Sequence, residues 1–357
     1  MTSGGRQHAP CLIDFKRALG CLLLAARPAL AARGDNPPHV ADPFADPKDD
    51  PYNPLGYIAS NTLTTIAFDL VLVTAIAHAV SMWKWRAWWL TCLIVGELTF
   101  AFGLGCRYAL HNTPDSRGWY ILEYLFVILS PCAFIAADYI ILGRLVRHLG
   151  CERHLRIVPP HRITLFFILS DIVTFLIQAA GGGISSGTSA TSGKIGTKIF
   201  LVGLILQLVS FFTFTSIFVI FLLRIRKHEP AIWTRDRDAG KTLFWDWRAL
   251  AIALAISCVG ILIRSVFRIA EMSQGFGGAI ARNEGLFYGF DTLPLFIAVV
   301  VWAVVWPGRF IRAPPKPKAV DEEVTAGQPM ELVGGPIQAS LDSYEAQGSG
   351  AIMVHHR

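Results

Sequence analysis

The sequence predicts an all-α fold, a bundle of seven transmembrane helices with its N-terminus outside and its C-terminus in the cytosol. Three observations predict it. Of 357 residues, 53% are hydrophobic and only 16% charged, whereas a soluble chain runs near a quarter charged. Seven apolar runs each reach the roughly 20 residues that a helix needs to cross ~30 Å of hydrocarbon. Basic residues collect in alternate connections, the pattern of loops retained in the cytosol.

The chain opens with "FKRALGCLLLAARPALAAR", basic residues followed by a short apolar core from Ala18 to Ala26 and an interrupting Arg27. This resembles a secretory signal, and cleaved and retained forms are both open. The proline- and aspartate-rich "GDNPPHVADPFADPKDDPYNP" that follows is too polar to fold alone. Residues 1–53 are therefore expected as an extracellular lead-in. A membrane domain is expected over 54–312, with spans at 55–80, 88–110, 119–142, 163–183, 197–223, 248–270 and 286–306. Residues 313–357 are expected to be a disordered cytosolic tail.

Orientation follows from lysine and arginine. Connections after the first, third and fifth spans and the C-terminal flank hold eighteen of them, including Lys84, Arg147, Arg226 and Arg312, against Arg117, Lys194, Lys198 and Arg282 in the opposite loops. The net charge of +6 thus falls mainly on the cytosolic face and implies anionic membrane lipid as its partner, not nucleic acid.

Other chemistries find little support. No Asn-x-Ser/Thr sequon is present, so N-glycosylation is not expected. Cys92, Cys106, Cys132 and Cys258 fall within spans and Cys151 in a cytosolic loop, so no extracellular disulfide is expected unless Cys11 and Cys21 persist. The string "HLGCERH", with His148, Cys151, His154 and the later His161, has zinc-like spacing, but its arginines make it a basic flank and no metal is expected. The nearest approach to a phosphate-binding loop, "RDRDAGKT", has Arg235 where the first glycine belongs, so no nucleotide or other cofactor is expected. An intramembrane hydrolase would need a metal cage or a nucleophile and base, and His78 is the only histidine well inside a span.

The charged residues inside spans carry the function argument. Ionisable groups in hydrocarbon cost about 2.5–3.5 kcal/mol each, so they should face the bundle interior with partners. In "ILIRSVFRIAEMSQG", Arg264, Arg268 and Glu271 share one helical face, which Gln274 continues. In "NEGLFYGFDTLP", Glu284, Tyr288 and Asp291 repeat the spacing and form a second stripe facing the first. Asp171 and Gln178 lie on one face of the fourth span, which Gly181, Gly182 and Gly183 are expected to end. Arg107 closes the second span at the same level, and Asp69, Glu97, Gln207 and Asp138 lie deeper. These ten, Arg107, Asp171, Gln178, Gln207, Arg264, Arg268, Glu271, Glu284, Tyr288 and Asp291, form the candidate substrate pathway. A plainer reading makes them interhelical clamps with no ligand.

Strings across the bundle carry a resemblance: "SPCAFIAADYIILGR" in the third span, "SDIVTFLIQAAGGG" in the fourth, "GLILQ" in the fifth, "RSVFRIAEMSQG" in the sixth and "EGLFYGFD" in the seventh. Together they resemble the fungal lipid-translocating exporter family, the "resistance to aminocholesterol"-like membrane proteins. In "GELTFAFGLGCR" the acidic residue, Glu97, stands a turn earlier than that pattern places it, and Leu104 occupies an aromatic position. The resemblance implies an integral, multi-pass protein of the plasma membrane or an endomembrane. It also implies movement of sphingoid-base or sterol-like amphiphiles, or tolerance of toxic ones, and no enzymatic activity. A cationic amine would suit Asp171, Glu284 or Asp291, and a phosphate would suit Arg264 and Arg268. With no ATPase motif, active transport would need an ion gradient, with Asp171 or Asp291 as proton carrier, or a soluble partner. The alternative is a seven-helix receptor or sensor for a lipid-like ligand, although "GRLVRHLG" stands where a receptor would carry Asp-Arg-Tyr.

Overall fold

The computed structural model describes residues 42, 44, 46–48, 50, 53–152, 160–185, 190–240, 242–275 and 278–311. The tail after Arg312, nearly all of the N-terminal lead-in, and His154 of the zinc-like string lie outside the described residues. Among them, seven helices are long and apolar enough to cross a membrane. We number the helices α1 (Asn61–Trp85), α2 (Thr91–Asn112), α3 (Arg117–Leu149), α4 (Pro160–Ser185), α5 (Ala190–His228), a short α6 (Pro230–Asp238), α7 (Trp247–Ser273) and α8 (Leu293–Val304). A helical turn at Glu284–Leu286 and a π segment at Phe287–Thr292 lead into α8 and complete the seventh span.

The first span begins later than expected because the chain ahead of it is spent on a turn. Asn53 Oδ1 accepts from the backbone nitrogens of Leu55 and Gly56 at 3.0 and 3.1 Å, and Gly56 takes φ 68°, a left-handed conformation that costs glycine little. Ser60 then caps α1, its hydroxyl accepting from Leu63 N. Between the fifth and sixth spans the polar sequence folds into α6, with Pro230 in its first turn, where a missing N–H costs nothing. Asp236 on α6 accepts the backbone N–H of Trp247 at 3.1 Å, which joins α6 to the start of α7.

Glycines set the closest helix contacts. A Cβ on Gly181 would overlap the backbone nitrogen of Phe200, and one on Gly196 would overlap Ser185 N and Gly181 O, so α4 and α5 touch backbone to backbone. This corrects the expectation that the glycine triplet ends the fourth span. The helix runs on to Ser185, and Gly181 is a packing position inside it. Gly260 likewise lets α7 meet the carbonyl of Pro294.

α3 is the most enclosed span and packs on its neighbours through Val127, Phe134, Ala137 and Tyr139. It contains Pro131, which has no N–H to give the carbonyl of Val127. That carbonyl instead receives the Ser130 hydroxyl at 3.0 Å and a guanidinium nitrogen of Arg264 from α7 at 2.7 Å. A broken helical bond in α3 thus becomes an anchor for a charge in α7.

Candidate functional site

The buried polar residues fall into groups that differ in how completely they are satisfied. At the α7–α8 contact, Arg268 holds both oxygens of Asp291 at 2.5 and 2.8 Å and gives its remaining terminal nitrogen to Glu271 at 2.8 Å. Arg264 adds a 3.2 Å contact to Asp291 Oδ1, and Asp291 is wholly buried. Bidentate pairing of this kind is both strong and geometrically specific.

A second group surrounds Arg107 at the end of α2. Its nitrogens donate to Glu123 of α3 at 3.0 Å, to Glu284 at 3.1 Å and to the Tyr57 hydroxyl at 2.9 Å. Tyr57 precedes the first span, and burial, working against the pull of Arg107, pushes its hydroxyl up to about 12, so it stays neutral. Glu284 also accepts the backbone N–H of Ser60 at 2.9 Å, which ties the start of α1 to the seventh span. Phe287 lies between the two groups, 4.4 Å from the guanidinium of Arg107 and 5.7 Å from that of Arg268.

The seventh-span stripe does not face α7 as one unit, as its spacing suggested. Asp291 does, but Glu284 turns to Arg107 and the Tyr288 hydroxyl pairs with Thr64 of α1 at 2.9 Å. The π segment is the cause, because its wider turn rotates Asp291 away from the residues before it. Gln274 leaves the sixth-span stripe as well. It is exposed past the end of α7, where its side chain accepts from Ile280 N at 3.3 Å.

The third group lies between α3, α4 and α5. Gln178 donates to Gln207 at 2.8 Å, and Gln207 reaches Cys132 Sγ at 3.5 Å. Asp171 faces the hydroxyls of Tyr139 and Ser210, but neither closes a hydrogen bond of good geometry. Both oxygens of Asp171 are buried and unsatisfied by the protein, as is Gln178 Oε1. The candidate residues therefore divide. Arg107, Arg264, Arg268, Glu271, Glu284, Tyr288 and Asp291 are engaged in interhelical contacts, whereas Asp171, with Gln178 and Gln207 beside it, retains unspent polar capacity.

Two further buried pairs complete the interior. The Ser257 hydroxyl of α7 donates to Asp138 of α3 at 2.8 Å. His78 Nδ1 meets Glu97 Oε1 at 2.9 Å while the imidazole stacks on Trp306 at 5.4 Å, which gives Glu97 a structural partner that span spacing alone did not reveal. Asp69 is the exception. It was expected inside the bundle and is exposed on the outer face of α1. Sequence reading also missed Glu123, since a lone acid near the start of a long apolar run gives no periodic signal, and the Val127 carbonyl, whose availability is signalled only by Pro131.

From Leu93 onward, this network lies within residues 93–314, which match the family described as RTA1 like protein. The chain belongs to that family. It is the family that the span strings resemble, and it makes this RTA1-like chain an integral multi-pass membrane protein. Protein RTA1 of Saccharomyces cerevisiae is 34% identical over 188 residues, 53% of this chain and 56% of the relative. Protoporphyrin uptake protein 1 of the same yeast is 28% identical over 214 residues, 58% of this chain and 65% of the relative. Its sphingoid long-chain base transporter RSB1 is 24% identical over 295 residues, 73% and 76% of the two chains. The RTA1-like chain thus spans just over half the length of the first of these relatives. No solved structure matches it.

Proposed function

We propose that this RTA1-like protein translocates cationic single-chain amphiphiles, of the sphingoid-base type, across the plasma membrane, and that Asp171 receives their ammonium group. The observation that carries the reading is the contrast between two sets of buried carboxylates. Asp291, Glu123 and the partly exposed Glu284 are paired with arginines, Glu97 with His78 and Asp138 with the Ser257 hydroxyl, whereas Asp171 is buried with no hydrogen bond closed to either oxygen. A buried carboxylate requires a cation or a full set of donors. An ammonium headgroup supplies both, its three N–H groups donating to the Asp171 carboxylate and to the hydroxyl oxygens of Tyr139 and Ser210 beside it.

The names of two relatives support a transport reading over a receptor: one is called a sphingoid long-chain base transporter and the other a protoporphyrin uptake protein. Asp291 is held by two arginines, so the proton-carrier role weighed for it passes to Asp171. Competition between a proton and an ammonium for one carboxylate would exchange the two across the bilayer without ATP. The basic asymmetry of the loops supports an orientation with the N-terminus outside and the C-terminal tail in the cytosol. A flip assay in proteoliposomes, with a fluorescent long-chain amine and no nucleotide, tests the proposal. Protein-dependent flipping of the amine, absent for its uncharged N-acetyl derivative, is expected, and equal flipping of both would contradict a carboxylate-read headgroup.

A further inference from the structure

α1 is the least enclosed of the spans, and Ile66, Val73, Ile76 and Val80 cover its outer face as lipid-facing side chains should. Asp69 breaks that surface. It is exposed eight residues beyond Asn61, ~12 Å along the helix axis at 1.5 Å per residue. Among the described residues it has no ion pair and no side-chain hydrogen bond. Intramembrane carboxylates ordinarily face the bundle interior, and a side chain this short cannot reach back to the interface as lysine does.

Polar groups connect Asp69 to the helix end. Thr62 and Thr65 precede it by seven and four residues, so the three share one helical face. The Thr65 hydroxyl pairs at 2.7 Å with that of Tyr108 from α2, whose ring packs edge-on to Phe68 at 6.3 Å. A track of hydroxyls therefore runs down the outside of the bundle and ends at a carboxylate. A second copy of the chain fits this surface poorly. A two-fold contact through α1 would oppose two Asp69 carboxylates, and a contact with exposed Lys198 on α5 would be head-to-tail and would propagate unless it closed as a ring.

We propose that Thr62, Thr65, Tyr108 and Asp69 form a membrane-facing recognition site for the ammonium head of a single-chain amphiphile whose tail remains in the bilayer. The assignment rests on the transport reading and adds the place where cargo is first held. The hydroxyls replace water around the headgroup as it leaves the interface, and Asp69 supplies the countercharge at a depth where no water does.

The test uses the full chain in phosphatidylcholine vesicles with a long-chain primary amine that carries a photoactivatable diazirine in its tail. Labelled peptides are mapped by mass spectrometry. Labelling of α1 is expected to fall about tenfold in Asp69→Asn, the loss of one charge-assisted contact, to survive in Asp69→Glu and to be unchanged in Lys198→Gln. It should be equally weak for the N-acetylated probe. The melting curve of Asp69→Asn should match wild type, since the side chain touches nothing that holds the fold. Labelling that persists in Asp69→Asn, or that follows the acetylated probe equally, overturns the site. Asp171→Asn should keep α1 labelling while losing flipping. If wild-type protein shows Asp69-dependent labelling but no flipping, the transport reading fails and the recognition site stands.

Discussion

Arg268 and Asp291 are joined through two parallel hydrogen bonds across the contact between the sixth and seventh spans, with both side chains buried. Removing one partner from such a pair leaves an uncompensated charge. Arg268→Met is expected to destabilise the protein by about 3–5 kcal/mol, seen as a lower melting temperature and a smaller folded yield. Combining Arg268→Asp with Asp291→Arg should recover part of the loss, and a double variant as poor as the sum of the singles would show that the two do not act as partners.

Pro131 and Arg264 should be energetically coupled, because the first frees the carbonyl that the second occupies. Pro131→Ala restores a donor to Val127 within α3. In that background Arg264→Ala is expected to cost about 1 kcal/mol less than in wild type. Strict additivity in a double-mutant cycle would refute the coupling.

The α4–α5 contact gives a sharper packing test. Gly196→Leu would drive a side chain into the backbone of α4 and Gly203→Leu one into Gln178, and a loss above about 3 kcal/mol is expected for each. Gly183→Ala, with no atom near its added methyl group, should melt as wild type does. Helix propensity alone would favour all three replacements, so a loss at Gly183 comparable to those at Gly196 and Gly203 would refute the contact account.

Much of this arrangement is legible in the sequence. Apolar run length gave the seven helices, and the i, i+4, i+7 spacing put Arg264, Arg268 and Glu271 on one face opposite an acidic seventh span. Periodicity assumes an unbroken α-helix, however, and says nothing about which neighbour a face meets. The π segment therefore redirected Glu284 and Tyr288 unannounced, and on the weakly enclosed α1 Asp69 faces away from the bundle. The division between engaged and unsatisfied carboxylates was likewise out of reach, since it depends on distances between helices that sequence spacing does not contain.

Orientation has its own experiment. With basic residues retained in the cytosol, a protease added outside intact cells should remove a tag placed ahead of the first span and spare one after Arg357. Cleavage of the C-terminal tag alone would invert the assignment.

The most direct measurement is the flipping rate of a fluorescent long-chain amine in proteoliposomes containing wild type or Asp171→Asn, with a melting curve of each protein. Asparagine keeps the size of the side chain and removes its charge. The account predicts a normal melting curve and at least a tenfold loss of amine flipping, about the effect of one charge-assisted contact. Flipping at the wild-type rate by a normally folded Asp171→Asn protein would contradict it.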